Sequence, residues 1–312
     1  MGTLRPGTSV YSAALALSQL INQYTHLNMI VQPYPTQMAI FPHVKAGTVQ
    51  VSYCPVENLE AYAYGIPTLS NPEDKAAHPQ LRLLMGGYHL YIGWITRPDT
   101  GIKTISDLKG HRIFWKSSAA FANAVYAEDS LRAYGLDPDK DVNSVVGYEN
   151  LPAAYKALQT KKIDALFGVI GGAQMEELEA ATGVAVLPFG EDKVKALRIP
   201  TKKIVSLPAK YLPGVKEPMK LLARQEILFC SKEMSDEAAY LIVKTIVEHH
   251  RDMGNIMELK EWGKEYAMPA LSSIVIPFHP GIVKYFKEIG LWTPQVEAHN
   301  KEVLDKIQKV TP

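Results

Sequence analysis

Short apolar runs of strand length alternate with amphipathic helical segments along most of this chain. The first part predicts helices over 10–25, 37–46 and 55–64, and strands over 27–33, 48–53 and 81–96. A second series predicts strands over 111–115, 143–148, 163–168 and 184–189, and helices over 118–134, 150–161 and 172–181. This alternation is typical of a parallel sheet with helices on its faces. We therefore predict an α/β fold.

The length and one break in the pattern indicate two domains. The chain has 312 residues, whereas single hydrophobic cores stop growing near about 250–300 residues. A Pro-Asp-Thr-Gly turn at 98–101 ends the long strand 81–96, and strand 225–231 and helix 235–250 lead into a helical C-terminal part. We predict that domain I comprises 1–96 and 208–312, that domain II comprises 97–207, and that a hinge lies near 95–98 and 224–231.

Charge and motifs exclude several classes of function. The 33 basic and 32 acidic residues leave a net charge of +1, which favours neither a nucleic acid nor an anionic membrane as partner. No segment offers the roughly 20 mainly apolar residues of a membrane span. The sequence lacks glycine-rich nucleotide loops, a nucleophile elbow, HExxH and CxxC. We predict no catalytic residue, metal or cofactor, and a binding function is favoured.

Neither the start of the chain nor its cysteines identify the compartment. Met1 is followed at once by Gly2 and Thr3, so no secretory leader is visible, and this says nothing about location. Cys54 and Cys230 each sit in an apolar run, where small buried side chains are expected. A disulfide between them stays open.

Polar and basic residues gather in loops that follow strands and open helices, where open α/β sheets bind ligands. In the first loop Thr8 or Ser9 is the expected helix N-cap, and Arg5 is a cation suited to a carboxylate. In the loop at 114–120, Lys116 precedes a helix start that favours an anion. The candidate ligand-binding residues are Thr3, Arg5, Thr8, Ser9, Tyr11, Thr36, Gln37, Trp94, Trp115, Lys116, Ser117, Ser118, Gly171, Gly172 and Gln174.

Each of these candidates also has a structural interpretation. Ser117 and Ser118 are equally suited to capping a helix, and Arg5 to a surface ion pair. Trp94 and Trp115 are suited to a core as well as to the wall of an apolar slot. His279, ahead of Pro280, is expected to cap a helix.

Nearly the whole chain resembles the TAXI family of solute-binding proteins that serve TRAP transporters. The similar segments are, in order, GTLRPGTSVYSAALALSQLIN, AGTVQVSYCPVENLEAYAYG, DTGIKTISDLKGHRI, KKIDALFGVIGGAQMEEL and IPFHPGIVKYFKEIGLW. The chain departs from the family at its ligand loops, with Gly7-Thr8 for a glycine pair, 115–120 for a glycine-rich loop, and Gln174 near a usual proline.

The resemblance implies the two-lobed fold of class II periplasmic binding proteins, closing on a small organic acid or amino acid. It also implies an extracytoplasmic monomer that delivers its solute to a membrane permease, with no enzymatic activity. Because the sequences of both ligand loops differ from those of the family, a short dicarboxylate and an aromatic carboxylate are equally expected as solutes. The alternatives are an enzyme or a soluble sensor module on the same scaffold.

Overall fold

A computed structural model describes residues 1–66, 77–116, 121–146, 148, 151–198, 203–253 and 262–310. Contacts divide the chain into two compact units: unit 1 is Met1–His89 with Gln225–Pro312, and unit 2 is Leu90–Arg224. Both crossings between the units fall inside strands. The domain limits expected after residues 96 and 207, and the hinge near 95–98 and 224–231, stay predictions.

Unit 1 begins with an α/β series in which each strand is followed by a helix. Its elements are β1 (Gly2–Thr3), α1 (Ser9–Tyr24), β2 (Gln32–Pro33), α2 (Phe41–Lys45), β3 (Val51–Pro55), α3 (Val56–Tyr64) and β4 (Leu81–Thr96), which continues into unit 2. β1 lies between β2 and β3 and is parallel to both. The carboxyl ends of β1 and β3 therefore lie on the same edge of the sheet as the start of α1.

Unit 2 continues with β5 (Arg112–Phe114), α4 (Phe121–Ala133), β6 (Asn143–Ser144), α5 (Leu151–Gln159), β7 (Ala165–Val169), α6 (Ala173–Thr182), β8 (Ala185–Val186), β9 (Lys203–Leu207) and β10 (Met219–Ser231), which returns to unit 1. β5 is parallel to β6 and β7. β4 is antiparallel to β7 and β8, and β9 is antiparallel to β10. One apolar core contains Trp94, Ile113, Tyr126 and Phe167.

The last part of unit 1 is helical. It comprises α7 (Asp236–His249), α8 (Lys264–Ala267), α9 (Pro280–Glu288) and α10 (Pro294–Lys309). Short 3-10 turns occupy Pro98–Thr100, Ile105–Leu108, Glu191–Ala196, His250–Met253 and Leu271–Ser273. α7 packs on α1 and α9. A Cβ at Gly281 of α9 would lie 2.3 Å from the Asp236 carbonyl oxygen, so a glycine permits this close approach.

The α/β class and most element positions are confirmed. The predicted strand 81–96 has the observed bounds of β4, and Thr8 rather than Ser9 caps α1. His279 caps α9, because its Nδ1 accepts the Gly281 N–H at 3.2 Å. Cys54 and Cys230 are buried and form no disulfide. Burial raises the pKa of the Cys230 thiol.

Two expectations were wrong in detail. The sheet is mixed rather than parallel, because β10 runs antiparallel to β3 and β4 runs antiparallel to β7. The predicted strand 27–33 is reduced to β2, because side chains of α1 hydrogen-bond to the backbone of Met29. Asn22 Oδ1 accepts the Met29 N–H at 2.6 Å, and Ser18 Oγ donates to the Met29 carbonyl at 2.6 Å.

Candidate functional site

The loop between β1 and α1 in unit 1 forms a tight turn with a capped helix start. Gly7 has φ of 87°, a conformation that glycine adopts without strain. Thr8 Oγ1 donates to the Arg5 carbonyl at 2.8 Å and accepts the Tyr11 N–H at 3.2 Å. Ser9 and Tyr11 are half-buried in the first turn of the helix. The structure thus brings four predicted residues together around one helix start: Arg5, Thr8, Ser9 and Tyr11.

Arg5 is the charged member of this group. Its side chain is exposed, and no carboxylate of the described residues pairs with it. Arg5 belongs to the loop that leads into α1, where the first backbone N–H groups have no acceptor four residues earlier within the helix. A guanidinium fork and a helix N-terminus each suit a planar anion such as a carboxylate.

Thr3, Gln37 and Thr36 each bond to a backbone group of unit 1. Thr3 is 2% exposed and its Oγ1 donates to the Val10 carbonyl at 3.2 Å. Gln37 is 5% exposed and donates from Nε2 to the Tyr53 carbonyl at 2.7 Å. Thr36 Oγ1 accepts the Ala39 N–H at 3.2 Å. Thr3 therefore supports the first turn of α1, Gln37 contacts β3, and Thr36 contacts the segment before α2, while their contact with a solute stays a prediction.

In unit 2, Trp94 and Trp115 belong to the core, which corrects their predicted position as walls of a slot. Trp94 is 1% and Trp115 4% exposed. Their indole nitrogens donate to Ser130 Oγ and Ser144 Oγ, each at 2.8 Å. Core packing and a satisfied N–H together leave neither ring a surface that faces solvent.

Lys116 follows β5 and already has two partners. Its Nζ lies 3.1 Å from Asp139 Oδ1 and 4.6 Å from the centre of the Trp115 ring. The ion pair is exposed on both sides, and such pairs contribute little because water and salt screen them. An anion at Lys116 would therefore compete with Asp139. Ser117 and Ser118 lie outside the described residues.

Gly171 and Gly172 shape the start of α6. Their φ angles are 120° and 78°, which explains glycine at both positions. Gly172 is the N-cap, so α6 has no side-chain cap. Gln174 is half-buried in the first turn. A helix start without a side-chain cap suits an anionic acceptor.

Sequence reasoning missed a buried aromatic cluster behind the α1 loop. Tyr53, Tyr88 and Trp262 lie with ring centres 5.5–6.4 Å apart, and Glu226 is buried near them. Burial raises the pKa of the Tyr53 phenol and the Glu226 charge raises it further, although hydrogen bonds with Thr3 and Tyr88 oppose this. The cluster keeps Tyr53 protonated, so its hydroxyl can donate to the Val10 carbonyl in the first turn of α1.

The sequence does contain one indication of this cluster, the glycine pair Gly86-Gly87 within β4. A Cβ at Gly87 would lie 2.8 Å from the Trp262 ring, and a Cβ at Gly86 would lie 2.5 Å from the Tyr266 carbonyl oxygen. Glycine inside a strand often marks a close approach of another group. The Trp262 indole N–H is buried and meets no acceptor among the described residues.

Within the described ranges, no three His, Cys, Asp or Glu side chains converge as metal ligands. None of the helices within those ranges has the length and apolar character to span a bilayer.

The sequence matches the model of the NMT1-like family over residues 1–290. Solved structures with a similar fold include the periplasmic binding protein BugD, with 11% identity over 99% of this chain and 95% of that one, and a TM-score of 0.54. A TctC solute-binding protein from Polaromonas has 14% identity over 93% and 96%, with a TM-score of 0.51.

The ligand-binding component of an ABC-type import system from Staphylococcus aureus, solved with zinc bound, is also similar. It shares 13% identity over 97% of both chains, with a TM-score of 0.53. At these identities the likeness concerns the fold.

Proposed function

The chain belongs to the NMT1-like family, and on that premise we propose that it is an extracytoplasmic receptor for a small organic solute. In finer terms, we propose a TAXI-type receptor of a TRAP transporter. It binds an organic acid or amino acid through its carboxylate, delivers it to a membrane permease, and works as a monomer without cofactor or catalysis. The solute-binding names of proteins with this fold support the proposal.

The observation that carries the proposal is the unpaired Arg5 at the start of α1. Its guanidinium has no carboxylate partner among the described residues, so its charge is available to a solute. Thr8 and Tyr53 hold the first turn from two sides, through the Tyr11 N–H and the Val10 carbonyl. A preorganised site of this kind loses little entropy when an anion binds.

In unit 2, Lys116, once released from Asp139, is proposed to contact a solute, as are Gly171, Gly172 and Gln174 at the start of α6. Ser117 and Ser118, which lie outside the described residues, keep their predicted role as donors. Trp94 and Trp115 are proposed to support these loops from the core.

A thermal-shift screen against organic acids and amino acids, followed by calorimetry, tests the function. Binding to the native state stabilises by about 2.7 kcal/mol at 100-fold excess over Kd. A charge-assisted hydrogen bond contributes about 1.5–3 kcal/mol, so Arg5→Ala should weaken the affinity for the solute about 10-fold or more.

Arg251→Ala is the matched control, because Arg251 is also an exposed arginine of unit 1 without a described ion pair. It should leave the affinity unchanged. The proposed function fails if no acid in the screen stabilises the protein, or if chromatography shows that the bound acid is converted to a product. Equal affinity of Arg5→Ala and wild type removes Arg5 from the site.

A further inference from the structure

The start of α3 in unit 1 contains a buried side-chain amide whose oxygen has no partner. Asn58 lies in the first turn of this helix and is 3% exposed. Its Oδ1 is fully buried and accepts no hydrogen bond from any of the described residues. A buried polar atom without a partner lowers the stability of a fold, so its presence requires a physical reason.

The local sequence explains why this oxygen is unpaired. Asn58 is the third residue of α3, a position from which a side chain can accept the backbone N–H of the N-cap residue. Asp107 has the same position in the turn Ile105–Leu108 and accepts the Thr104 N–H at 2.8 Å. The N-cap of α3 is Pro55, which has no N–H. The usual partner of a side chain at this position is therefore missing in α3.

The start of α3 lies on the same edge of the sheet as the start of α1. β3 leads directly into α3, and β1, which is parallel to β3 with Gly2 opposite Ser52, leads into the loop before α1. Side chains of a helix lean towards its N-terminus, so the Asn58 amide leans towards this edge. Ligands of open α/β sheets bind at this edge. The amide therefore lies on the side of unit 1 that carries the proposed contacts to the solute.

The two helix starts differ in charge. The first turn of α1 contains no acidic residue, and Arg5 lies in the loop before it. The first turn of α3 contains Glu57, whose negative charge offsets the positive end of the helix dipole. An amide oxygen can only accept hydrogen bonds. The start of α1 therefore suits an anion, whereas the start of α3 suits a hydrogen-bond donor.

We propose that Asn58 Oδ1 accepts a hydrogen bond from the solute, and that the solute is a carboxylic acid with an N–H or O–H donor, as in an amino acid or a hydroxy acid. The carboxylate binds at the start of α1 with Arg5, and the ammonium or hydroxyl group donates to Asn58. An acid without such a donor binds more weakly, because it leaves the buried oxygen unpaired. This inference rests on the proposed function and narrows its solute.

Calorimetry on the full chain with two matched series of acids tests the proposal. One series is phenylpropanoate, phenyllactate and phenylalanine, and the other is glutarate, hydroxyglutarate and glutamate. In at least one series the amino acid should bind about 10-fold or more tightly than the donor-free acid, the effect of one charge-assisted hydrogen bond. The hydroxy acid should have an affinity between those two.

Asn58→Leu removes the acceptor at similar volume. This variant should bind the amino acid and the donor-free acid with nearly equal affinity. The solute-free variant should be at least as stable as wild type in chemical denaturation, because the Asn58 oxygen has no hydrogen bond to lose. A side chain needed only for the fold would give the opposite result for stability.

Asn300→Leu is the matched control. Asn300 is an asparagine on α10 of unit 1, and its Oδ1 accepts the Phe278 N–H at 2.8 Å. This variant should lose stability and keep the wild-type preference for the amino acid. The proposal is overturned if wild type binds the acids of each series equally or binds none of them. It is also overturned if Asn58→Leu keeps the preference or loses as much stability as Asn300→Leu. Equal binding of the acids would leave the proposed receptor function intact, so the two failures are distinguishable.

Discussion

The loop before α1 in unit 1 and the loop after β5 in unit 2 were predicted to do the same work, yet they are built in opposite ways. In the first, Arg5 has no described carboxylate partner, and hydroxyl groups of Thr8 and Tyr53 fix the backbone. In the second, Lys116 already pairs with Asp139, and the packed ring of Trp115 fixes the backbone.

This difference predicts which of the two loops an anion should bind with the larger gain in free energy. A solute carboxylate at Arg5 forms a new ion pair, whereas one at Lys116 replaces an existing pair and gains only the difference. The affinity should therefore depend more on the unit 1 loop than on the unit 2 loop. The free energy of unfolding should depend more on the unit 2 loop than on the unit 1 loop, because the unit 2 loop packs on a hydrophobic core.

The largest expected effect tests the anchoring of the unit 2 loop. Trp115→Ala should lower the free energy of unfolding by about 3–5 kcal/mol, because it leaves a cavity in the core and removes the partner of Ser144. Chemical denaturation measures the change. Tyr11→Ala, at a half-buried position of the unit 1 loop, should cost less. An equal or smaller loss for Trp115→Ala would contradict the comparison.

The next effect concerns the backbone at the start of α6. Gly172 has φ of 78° and ψ of 177°, a region that only glycine occupies readily. Gly172→Ala should reduce the free energy of unfolding by about 1–3 kcal/mol. Ala173→Ser, one position on and exposed, is the control and should change stability little. If both variants unfold alike, backbone strain does not explain the glycine.

The N-cap of α9 is His279, which can titrate, whereas the N-cap of α1 is Thr8, which cannot. The His279 ring accepts from Gly281 at Nδ1 and faces the Met234 carbonyl with Nε2 at 2.9 Å, which fits the neutral ring protonated on Nε2. Burial lowers the His279 pKa below its usual value of 6.5. At a pH between the lowered pKa of the folded state and 6.5, the unfolded chain binds more protons than the folded chain. The free energy of unfolding should therefore fall as the pH drops below 6.5.

His279→Asn keeps a capping side chain that does not titrate. The difference in unfolding free energy between wild type and this variant should therefore shrink or reverse on acidification, and stay constant above the unfolded pKa. Denaturation curves at several pH values measure it. A difference that does not vary with pH would show that the ring does not titrate in this window.

The smallest effect concerns the exposed pair of Lys116 and Asp139. Asp139→Asn should leave thermal stability nearly unchanged, because exposed pairs are screened by water and salt. It should modestly tighten the affinity for an acidic solute found in the screen, because it releases Lys116. Lys140→Gln is a suitable control, since its own pair with Asp137 is also exposed. Equal affinities for both variants and wild type would place Lys116 outside the site.

Strong hydrophobic patterns made much of the fold predictable. The apolar length of 81–96 matches β4, and the His279-Pro280-Gly281 sequence matches a capped helix. The prediction of strand 27–33 was wrong because Ser18 and Asn22 on α1 hydrogen-bond to the backbone of Met29. Local periodicity contains no information about such a contact.

The candidate site was less predictable than the fold. An aromatic residue beside a loop has the same local pattern whether it enters the core or lines a cavity, so Trp115 was misplaced. The contact between Lys116 and Asp139 joins residues far apart in the chain. The cluster of Tyr53, Tyr88 and Trp262 likewise unites three distant segments. By contrast, the Thr8 cap depends on neighbouring residues and was predictable.

The two buried thiols have a consequence for the folded protein under oxidising conditions. Cys54 and Cys230 each have 0% exposure, and across β3 and β10 they pair with Ile227 and Val51 rather than with each other. Oxidants react with accessible thiolates, and burial keeps the Cys230 thiol protonated. Sensitivity to wrong disulfides is therefore confined to the chain before it folds, and the folded protein needs no reductant to keep these thiols intact.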